Sequence, residues 1–169
     1  MAYYQMTYRD STMATDNLVG GKRDNTGKPR YSYILDFLIS DLDGLVKTHK
    51  GAQLLLHIQN GYVEGLINIR DVLISLHEES PEQIFEGVHR VSEFGRTKYA
   101  PRNWKKGLAV SEIYNSALRH LLALDRGEAL CPDSGLPHTA HLMWNCLEAN
   151  WMAANRPEWD DRDKEIVRS

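Results

Sequence analysis

Three parts of this sequence have the period of an amphipathic helix: EQIFEGVHRVSEF at residues 82–94, SEIYNSALRHLLALD at 111–125 and LPHTAHLMWNCLEANW at 136–151. Within each part the apolar residues recur every three or four positions. They therefore form one stripe along a helix that turns by about 100° per residue. The chain contains no regular alternation of apolar and polar residues, which is the period of a half-buried strand. The sequence predicts an all-α fold with at least four helices.

Acidic residues, histidines and an asparagine share one side of the first and of the last of these helices. In chain order they are Glu82, Glu86, His89 and Glu93, followed by His138, His141, Asn145 and Glu148. Facing carboxylates and imidazoles could hold a hard divalent cation such as Mg²⁺ or Mn²⁺, which prefers oxygen ligands and accepts some nitrogen. His120 lies in the apolar stripe of the middle helix and should point inward. A lone inward histidine is more often a satisfied core residue than a ligand.

The composition is that of a globular protein, with 42% hydrophobic and 25% charged residues in a chain of 169 residues, enough for one domain with a core. A formal net charge of −3 argues against a protein that coats DNA, because such proteins usually have a basic excess. Cys131 and Cys146 have neither metal-finger spacing nor a disulfide framework. No apolar run is long enough to cross a bilayer, and the N-terminus does not read as a signal peptide, so we expect a cytoplasmic protein.

Residues 96–107, RTKYAPRNWKKG, are predicted to form a loop in which cations and aromatic residues are mixed. Cations can neutralise a triphosphate, Tyr99 and Trp104 can stack on a base, and Asn103 can hydrogen-bond a base edge or a ribose. In the alternative interpretation, the two aromatic residues fix the loop to the core while the cations face water. We favour ligand binding because the two residue types are so closely interleaved.

Local signals predict where the helices begin and end. Ser80, followed by a proline, is typical of a helix start, and Ser134 is placed to cap the last helix. Gly95 and Gly127 are predicted to end the first and the middle helix.

Upstream of these helices, amphipathic stretches at residues 31–47, 51–60 and 62–78 are predicted to be helical, with Gly61 separating the last two. The apolar run at 72–74 also fits a strand, and periodicity alone does not decide between the two.

The two ends of the chain are polar. Lys28 and Arg30 flank a proline and could offer their charges to a phosphate, whereas the alternative is a solvated tail. Beyond Trp151 the chain becomes charged, and we expect it to be mobile.

The order and spacing of several motifs resemble those of a known family. The motifs are Gly27-Lys28-Pro29-Arg30, Phe94-Gly95-x-x-Lys98-Tyr99-x-x-x-Asn103-Trp104-x-x-Gly107, Arg119-His120, Gly127-Glu128 and Ser134-Gly135-x-x-His138-x-x-His141-x-x-x-Asn145. With these motifs, which cover residues 27–30 and then 86–147, the sequence resembles the phage and bacterial dATP/dGTP pyrophosphohydrolases, which are grouped with the all-α MazG-like enzymes.

The resemblance implies hydrolysis of a purine deoxynucleoside triphosphate, dGTP or dATP, between the α and β phosphates to give the monophosphate and pyrophosphate. Phage relatives sometimes called MazZ supply dGMP in this way for 2-aminoadenine nucleotide synthesis, in the host cytoplasm. The resemblance further implies a homo-oligomer that forms no stable nucleic-acid complex. The MazG-like domain would span 27–152, with a helical insertion in 40–80, between an N-terminal arm at 1–26 and a charged C-terminal tail at 153–169.

The resemblance and the polar stripes together give a set of expected site residues. We expect two or three Mg²⁺ or Mn²⁺ ions to be held by Glu86, Glu93, Glu128 and Asp133. The expected catalytic residues are Glu93, Glu128 and Lys98. The expected substrate contacts are Lys28, Arg30, Lys98, Tyr99, Asn103, Trp104, Arg119, His120, His138 and His141. The family usually has an acid where Cys131 stands and a glutamate where Asp133 stands.

Two other classes of function remain open on the sequence. A different helical metallophosphohydrolase, releasing nucleoside or diphosphate, would normally carry an adjacent His-Asp pair, and a P-loop enzyme would carry Gly-Lys-Ser/Thr; the sequence has neither. A non-catalytic helical regulator that binds nucleotide or nucleic acid could use the same basic and aromatic residues. It would have no need for Glu86, Glu93 and Glu128 to converge, so their convergence separates an enzyme from a regulator.

Overall fold

The computed structural model describes residues 20, 21, 23, 27–28, 46–64 and 79–162 of the chain. These residues form four α-helices: α1 His49–Glu64, α2 Pro81–Tyr99, α3 Val110–Asp125 and α4 His138–Asn155. Two short 3-10 helices cover Asn103–Lys106 and Pro157–Trp159. Strand-type pairing within the described residues is limited to an isolated bridge between Leu130 and Pro137. The prediction of an all-α fold is confirmed.

In the N-terminal half, the structure corrects one predicted boundary. α1 runs through Gly61, so the predicted break at this glycine is wrong. The helix predicted at 31–47 lies outside the described residues except for its last two positions, and so does the stretch at 65–78. None of the helices in the described ranges is long and apolar enough to cross a membrane.

The start of α2 follows its sequence signal. The Ser80 hydroxyl accepts a hydrogen bond from the Gln83 amide, and the Gln83 side chain accepts one from the Ser80 amide at 2.7 Å. This reciprocal pair satisfies amides that the first helical turn leaves without partners, and Pro81 has no amide hydrogen to satisfy. The predicted helix start is confirmed.

The end of α2 differs from the prediction. The helix passes Gly95 and ends at Tyr99, so residues 96–99 are helical rather than part of a loop. The chain leaves the helix at Ala100, the residue before Pro101, where a helical conformation is disfavoured. The proline, and not the glycine, sets the boundary.

The predicted end of α3 is confirmed, whereas the predicted cap at the start of α4 is wrong. Gly127 follows α3 with φ 82°, and its amide donates to the Leu124 carbonyl at 3.0 Å, as predicted for a helix stop. α4 begins at His138, and no side chain caps it. The Ser134 hydroxyl instead contacts His141 Nε2 at 2.7 Å, so the predicted Ser134 cap is wrong.

The core lies between α1, α3 and α4. The most extensive packing is that of α3 against α4, and α4 also packs against α2. The largest fully buried side chains are Leu54, Leu55, Ile58, Ile113, Tyr114, Leu118, Leu121, Leu142 and Met152. Gly87 lets α2 approach α4 closely, because a Cβ there would lie 2.8 Å from the Ala140 Cβ. Phe85 is an apolar residue of α2 that is 76% exposed, since Ile84, Gly87 and Val91 form the buried face.

The chain from Trp151 to Arg162 packs against the core instead of being mobile. Trp159 is buried, and Asp161 accepts hydrogen bonds from the amide and the hydroxyl of Ser111 at 2.9 and 2.6 Å. Asp161 thus supplies acceptors to the first turn of α3, where helix amides lack partners. The expectation of mobility is wrong as far as Arg162.

The N-terminal segment crosses the 3-10 helix Asn103–Lys106. The Gly21 amide donates to the Gly107 carbonyl at 2.6 Å. A Cβ on Gly21 would lie 2.6 Å from the Asn103 carbonyl oxygen, so only a residue without a side chain fits this crossing. The crossing directs the next described residue, Arg23, toward α4.

The start of α1 is fixed to the end of α3 by one acid. Asp125 accepts hydrogen bonds from the amides of Lys47 and Thr48, both at 2.9 Å, and from the Thr48 hydroxyl at 2.6 Å. These bonds join the N-terminal half of the described chain to the helices that carry the predicted site residues.

Candidate functional site

A cavity of about 530 Å³ lies among α2, α3, α4 and the 3-10 helix Asn103–Lys106. Basic residues from several parts of the chain line it: Arg23, Lys28, Arg96, Lys98, Arg102, Arg119 and Arg126. Aromatic rings from Tyr99, Trp104 and Trp144 complete one wall. Cations and aromatic rings in one cavity of this size suit a ligand that carries both phosphates and a base.

The structure brings most of the predicted substrate contacts to this cavity. The predicted contacts that line it are Lys28, Lys98, Tyr99, Asn103, Trp104, Arg119, His120, His138 and His141. Arg30 lies outside the described residues. The grouping agrees with the predicted set of contacts, although their individual roles stay predictions.

The four predicted metal ligands are divided between two places. Glu128 and Asp133 line the cavity, whereas Glu86 and Glu93 do not. The buried face of α2 consists of Ile84, Gly87 and Val91, and neither acid belongs to it. Glu93 accepts a hydrogen bond at 2.7 Å from Arg96, which itself lines the cavity, and Glu86 is exposed. The structure therefore does not bring Glu86 and Glu93 into the cavity with Glu128, and their metal-binding roles stay predictions.

The carboxylates that line the cavity are Glu128, Asp133 and Glu148, and each lies beside a cation. Arg126 donates to Glu128 at 2.7 Å, and this hydrogen bond lowers the pKa of the Glu128 carboxyl. Lys28 Nζ lies 3.9 Å from an Asp133 oxygen. Because Glu128 is ionised at neutral pH, it can act as a base or as an oxygen ligand. Two carboxylates together with phosphate oxygens fit the donor set that Mg²⁺ commonly uses.

The position of Trp104 agrees with both interpretations of residues 96–107, ligand binding and packing against the core. Its ring lies edge-to-face against Trp144 and Trp151, with centroid distances of 5.6 and 4.9 Å. Asn103 beside it is buried. The segment is therefore fixed to the core, and the same two residues still line the cavity.

Lys98 is placed by the last turn of α2, which the sequence did not predict to be helical. Its Nζ lies 5.4 Å from the centroid of the Tyr99 ring and 6.0 Å from that of Phe94. The side chain is exposed and reaches the cavity from its rim. A helical backbone fixes the position of this cation more firmly than a loop would.

Three histidines from α3 and α4 meet in the wall of the cavity. His120 Nδ1 lies 2.8 Å from His138 Nδ1, and the His120 ring stacks on that of His141 with a centroid distance of 4.6 Å. Burial lowers the pKa of His120 well below its ordinary value, lowers that of His138, and lowers that of His141 to about 4. All three imidazoles are therefore neutral at pH 7 and add no charge to the cavity.

An ion pair at the base of the cavity was not predicted. Arg23 forms a salt bridge with Glu148 and donates to the Asn145 side chain at 2.9 Å. Burial raises the pKa of Glu148, while the charge and hydrogen bond of Arg23 and a hydrogen bond from Trp144 oppose this effect. Asn145 and Glu148 were visible on the polar stripe of α4. Arg23 is a single cation in a segment without helical or strand periodicity, so the sequence did not indicate that it belongs to the site.

The fold and the cavity define a class: an all-α protein with a basic, aromatic cavity suited to a phosphorylated ligand that carries a base. The sequence model described as dATP/dGTP diphosphohydrolase, N-terminal, matches residues 69–162, more than half of the chain. The chain belongs to this family, and the resemblance seen in the motifs is confirmed.

One relative illustrates how the chain is related to longer proteins. A protein of Salmonella phage PMBT28 named dATP/dGTP diphosphohydrolase is 35% identical over 77 residues, which make up 46% of this chain and 26% of the phage protein. The matched region thus spans about a quarter of that relative. No solved structure matches the chain.

Proposed function

We propose that the cavity binds a purine deoxynucleoside triphosphate, dGTP or dATP, and that the protein hydrolyses it to the monophosphate and pyrophosphate. The name of the family and that of the phage relative support this substrate class. The observation that carries the proposal is the cavity itself, where cations, aromatic rings and carboxylates meet in about 530 Å³.

The cavity matches the charge of the proposed substrate. A triphosphate carries roughly four negative charges, which repel an attacking water unless nearby cations neutralise them. Lys98 and Arg119 line the cavity from two different helices and would contact phosphate oxygens from two sides. Lys98 is proposed to act in the reaction, because a cation whose contact strengthens as charge develops lowers the barrier.

The proposed base subsite lies beside the 3-10 helix Asn103–Lys106. Trp104 would offer a surface for stacking, which tolerates either purine, and Tyr99 would extend the aromatic wall. The Asn103 side chain, which can both donate and accept, would contact a base edge or brace the segment. The neutral imidazoles of His120 and His138 would contact the substrate through hydrogen bonds without adding charge.

Mg²⁺ or Mn²⁺ fits the donor set that the cavity offers. Glu128 and Asp133 would hold the ion, and phosphate oxygens would fill further positions, as is usual for Mg²⁺ at phosphates. A bound divalent ion neutralises phosphate charge and lowers the pKa of a water molecule. Glu128, whose pKa is lowered by the hydrogen bond from Arg126, would receive the proton of the attacking water. A second or third ion would need oxygen ligands in addition to these two carboxylates.

Several finer features follow from the resemblance and are part of the same proposal. They are a homo-oligomer, a cytoplasmic setting without membrane or stable nucleic-acid partners, and a supply of dGMP for 2-aminoadenine nucleotide synthesis in a phage-infected cell.

The test is incubation of the purified protein with each dNTP and NTP in the presence of Mg²⁺ or Mn²⁺, resolving mono-, di- and triphosphate products. We expect dGMP or dAMP together with pyrophosphate. Lys98→Ala should lower turnover, whereas Lys106→Ala, which removes an exposed cation outside the cavity, should not. Release of nucleoside or of inorganic phosphate instead would identify a different phosphohydrolase.

One observation favours a second candidate, a helical regulator that binds nucleotide without turnover. The acids of α2 do not converge on the cavity, and convergence was the feature expected of an enzyme. Tight binding of dGTP or dATP, measured by calorimetry, with no product in any of the incubations would establish this alternative.

A further inference from the structure

A second group of possible metal ligands lies in the wall of the cavity, and its chemistry differs from that of the two carboxylates. His120, Cys131 and His138 each offer one ligand atom, and the three atoms all lie within 4.8 Å of one another. We propose that these residues form a site for a borderline-soft divalent metal of the Zn²⁺ class. The site is distinct from the oxygen ligands proposed for Mg²⁺, and the inference does not depend on the proposed hydrolysis.

The donor atoms indicate the class of metal. Two imidazole nitrogens and one thiolate sulfur are preferred by Zn²⁺ and Co²⁺, whereas Mg²⁺ requires oxygen. In a tetrahedral zinc site with Zn–N near 2.1 Å and Zn–S near 2.3 Å, neighbouring ligand atoms are roughly 3.3–3.6 Å apart. The Nδ1 atoms of His120 and His138 are 2.8 Å apart, and the ligand atoms of the three residues all lie within 4.8 Å of one another. These atoms are close enough that small side-chain rotations would bring them to the tetrahedral spacing.

The backbone holds two of the three ligands in fixed positions. The Cys131 amide donates to the Leu136 carbonyl at 2.8 Å, and the His138 amide donates to the Ala129 carbonyl at 2.9 Å. These bonds close the turn that joins α3 to α4 and place Cys131 beside the first residue of α4. His120 projects from α3, so the three ligands come from three consecutive elements tied together by main-chain contacts.

An unsatisfied polar atom is an independent sign of a missing partner. His138 is 4% exposed, and its Nε2 is buried with no hydrogen-bond partner among the described residues. A buried nitrogen without a partner is costly, because it has lost its contacts with water. Coordination of a metal through Nε2 would give this atom the partner that it lacks, while Nδ1 of the same ring already contacts His120.

The remaining histidine has another role. His141 Nε2 contacts the Ser134 hydroxyl at 2.7 Å, and its ring stacks face to face on His120. The stacking holds the His120 ring in place. Three protein ligands therefore remain, and all three line the cavity. Three ligands and one open position are the arrangement that zinc sites use when the fourth ligand is a water molecule or a substrate atom.

Occupation of the site would change the charge of the cavity. Metal binding requires the thiolate form of Cys131, so the thiol proton is released. Two neutral imidazoles and one thiolate leave the Zn²⁺ complex with a net charge of +1. The three ligands line the same cavity as the cations proposed to bind the phosphates, so an anionic oxygen is the expected fourth ligand in place of water.

The first test uses the unmodified protein and no nucleotide. Equilibrium dialysis against Zn²⁺, followed by elemental analysis, should find one ion for each chain, and a large excess of Mg²⁺ should not displace it. With Co²⁺ as the probe, the protein should show thiolate-to-cobalt charge-transfer absorption and the visible bands of a tetrahedral ion. Absence of stoichiometric Zn²⁺, or its displacement by Mg²⁺, would overturn the proposal.

Variants then test the identity of the ligands. Cys131→Ser should abolish the thiolate band and weaken Zn²⁺ binding at least about tenfold, since even outer-shell partners contribute 10–100-fold. Cys146→Ala, which removes the other buried thiol, and His89→Asn, which removes an exposed histidine, should leave both readouts unchanged. Thermal unfolding of each variant verifies that it is folded. A thiolate band that persists in Cys131→Ser, or disappears in Cys146→Ala, would refute the assignment.

The zinc experiment and the nucleotide experiment can fail separately. Zinc stoichiometry is measured without substrate, so an inactive protein can still bind zinc as predicted. A protein that hydrolyses nucleotides but binds no zinc would support the proposed Mg²⁺-dependent hydrolysis and refute only the zinc site.

Discussion

α2 and α4 carry the same kind of polar stripe, with acids and histidines three or four residues apart, and the fold uses the two stripes in opposite ways. The stripe of α2 faces outward, with Glu86 exposed and Glu93 paired to Arg96. The stripe of α4 faces the cavity and the interior. α4 packs extensively against both α2 and α3. Among the described helices, α2 packs extensively only against α4. A helix between two others has few positions open to water, so its polar residues must find partners inside the protein.

The largest expected difference between the two stripes is in stability. Arg23→Ala should reduce the free energy of unfolding by about 3 kcal/mol, because it leaves the buried Glu148 without its cation. Arg96→Ala removes the partner of Glu93 from an exposed pair and should cost less than about 1 kcal/mol. Urea unfolding followed by circular dichroism gives both values. Equal losses of unfolding free energy in the two variants would mean that the interior pair stabilises the protein no more than the exposed pair.

The next difference concerns catalysis. Glu128→Gln keeps the shape of the side chain and removes its charge, and should lower kcat for dGTP by about 100-fold or more, since it removes a base and an oxygen ligand. Glu93→Gln should leave kcat near the wild-type value, because Glu93 does not line the cavity.

Measurement of kcat can also contradict the expected difference between Glu128→Gln and Glu93→Gln. A loss in Glu93→Gln as large as that in Glu128→Gln, with normal folding, would show that the outer face of α2 meets the substrate after all. That result would restore the metal and catalytic roles expected for Glu93 from the sequence.

A smaller effect is expected at the aromatic wall. Trp104→Ala should raise KM about tenfold for dGTP and dATP alike, because stacking contributes about 1–3 kcal/mol and does not distinguish the purines. It should also lower the melting temperature, since Trp104 packs against Trp144 and Trp151. Trp104→Phe keeps a ring and serves as the control. A lower melting temperature with an unchanged KM would assign Trp104 to the core alone.

The smallest effect is expected at an acid that belongs to neither stripe. Burial alone would raise the pKa of Asp125, but hydrogen bonds from the Thr48 side chain and from the amides of Lys47 and Thr48 lower it. The contribution of Asp125 to stability is therefore present above its unfolded pKa of 3.8 and is lost as the pH falls through the lower folded value. Asp125→Asn should cost about 1 kcal/mol at pH 7.

The pH dependence of that difference is the check. The stabilities of Asp125→Asn and the wild type should approach each other below pH 3.8 and differ at neutral pH. A difference that is constant with pH would show that the charge of Asp125 makes no contribution.

Signals that act over one helical turn predicted the structure well. Ser80 and Gln83 form the expected start of α2, and Gly127 ends α3, because such contacts involve residues three or four positions apart. Glycines without an additional signal did not end helices: Gly61 and Gly95 both lie within them. The intrinsic cost of glycine in a helix is only about 1 kcal/mol, which tertiary packing outweighs.

Contacts between distant residues account for what the sequence did not predict. Periodicity identifies the residues that share a helix face, and it does not identify the helix that the face will meet. The outward position of Glu86 and Glu93 depends on where α4 lies, and the burial of Arg23 depends on a partner 125 residues away. Most of the site residues expected from the resemblance line the cavity, because its motifs combine such distant positions.

The crossing at Gly21 also bears on how the protein folds. Arg23 leaves the ribosome long before Glu148, so the interior acid and its cation must find each other after α2, α3 and most of α4 have been synthesised. Contacts between such distant positions carry a high entropic cost of loop closure and slow the final stage of folding. Before the segment around Gly21 docks, the partly folded chain would expose the cavity on one side. Glu148 would then lack its cation, Arg23. Docking of that segment is therefore expected to be a late step in refolding, which pulse-labelling hydrogen exchange at the Gly21 amide can time.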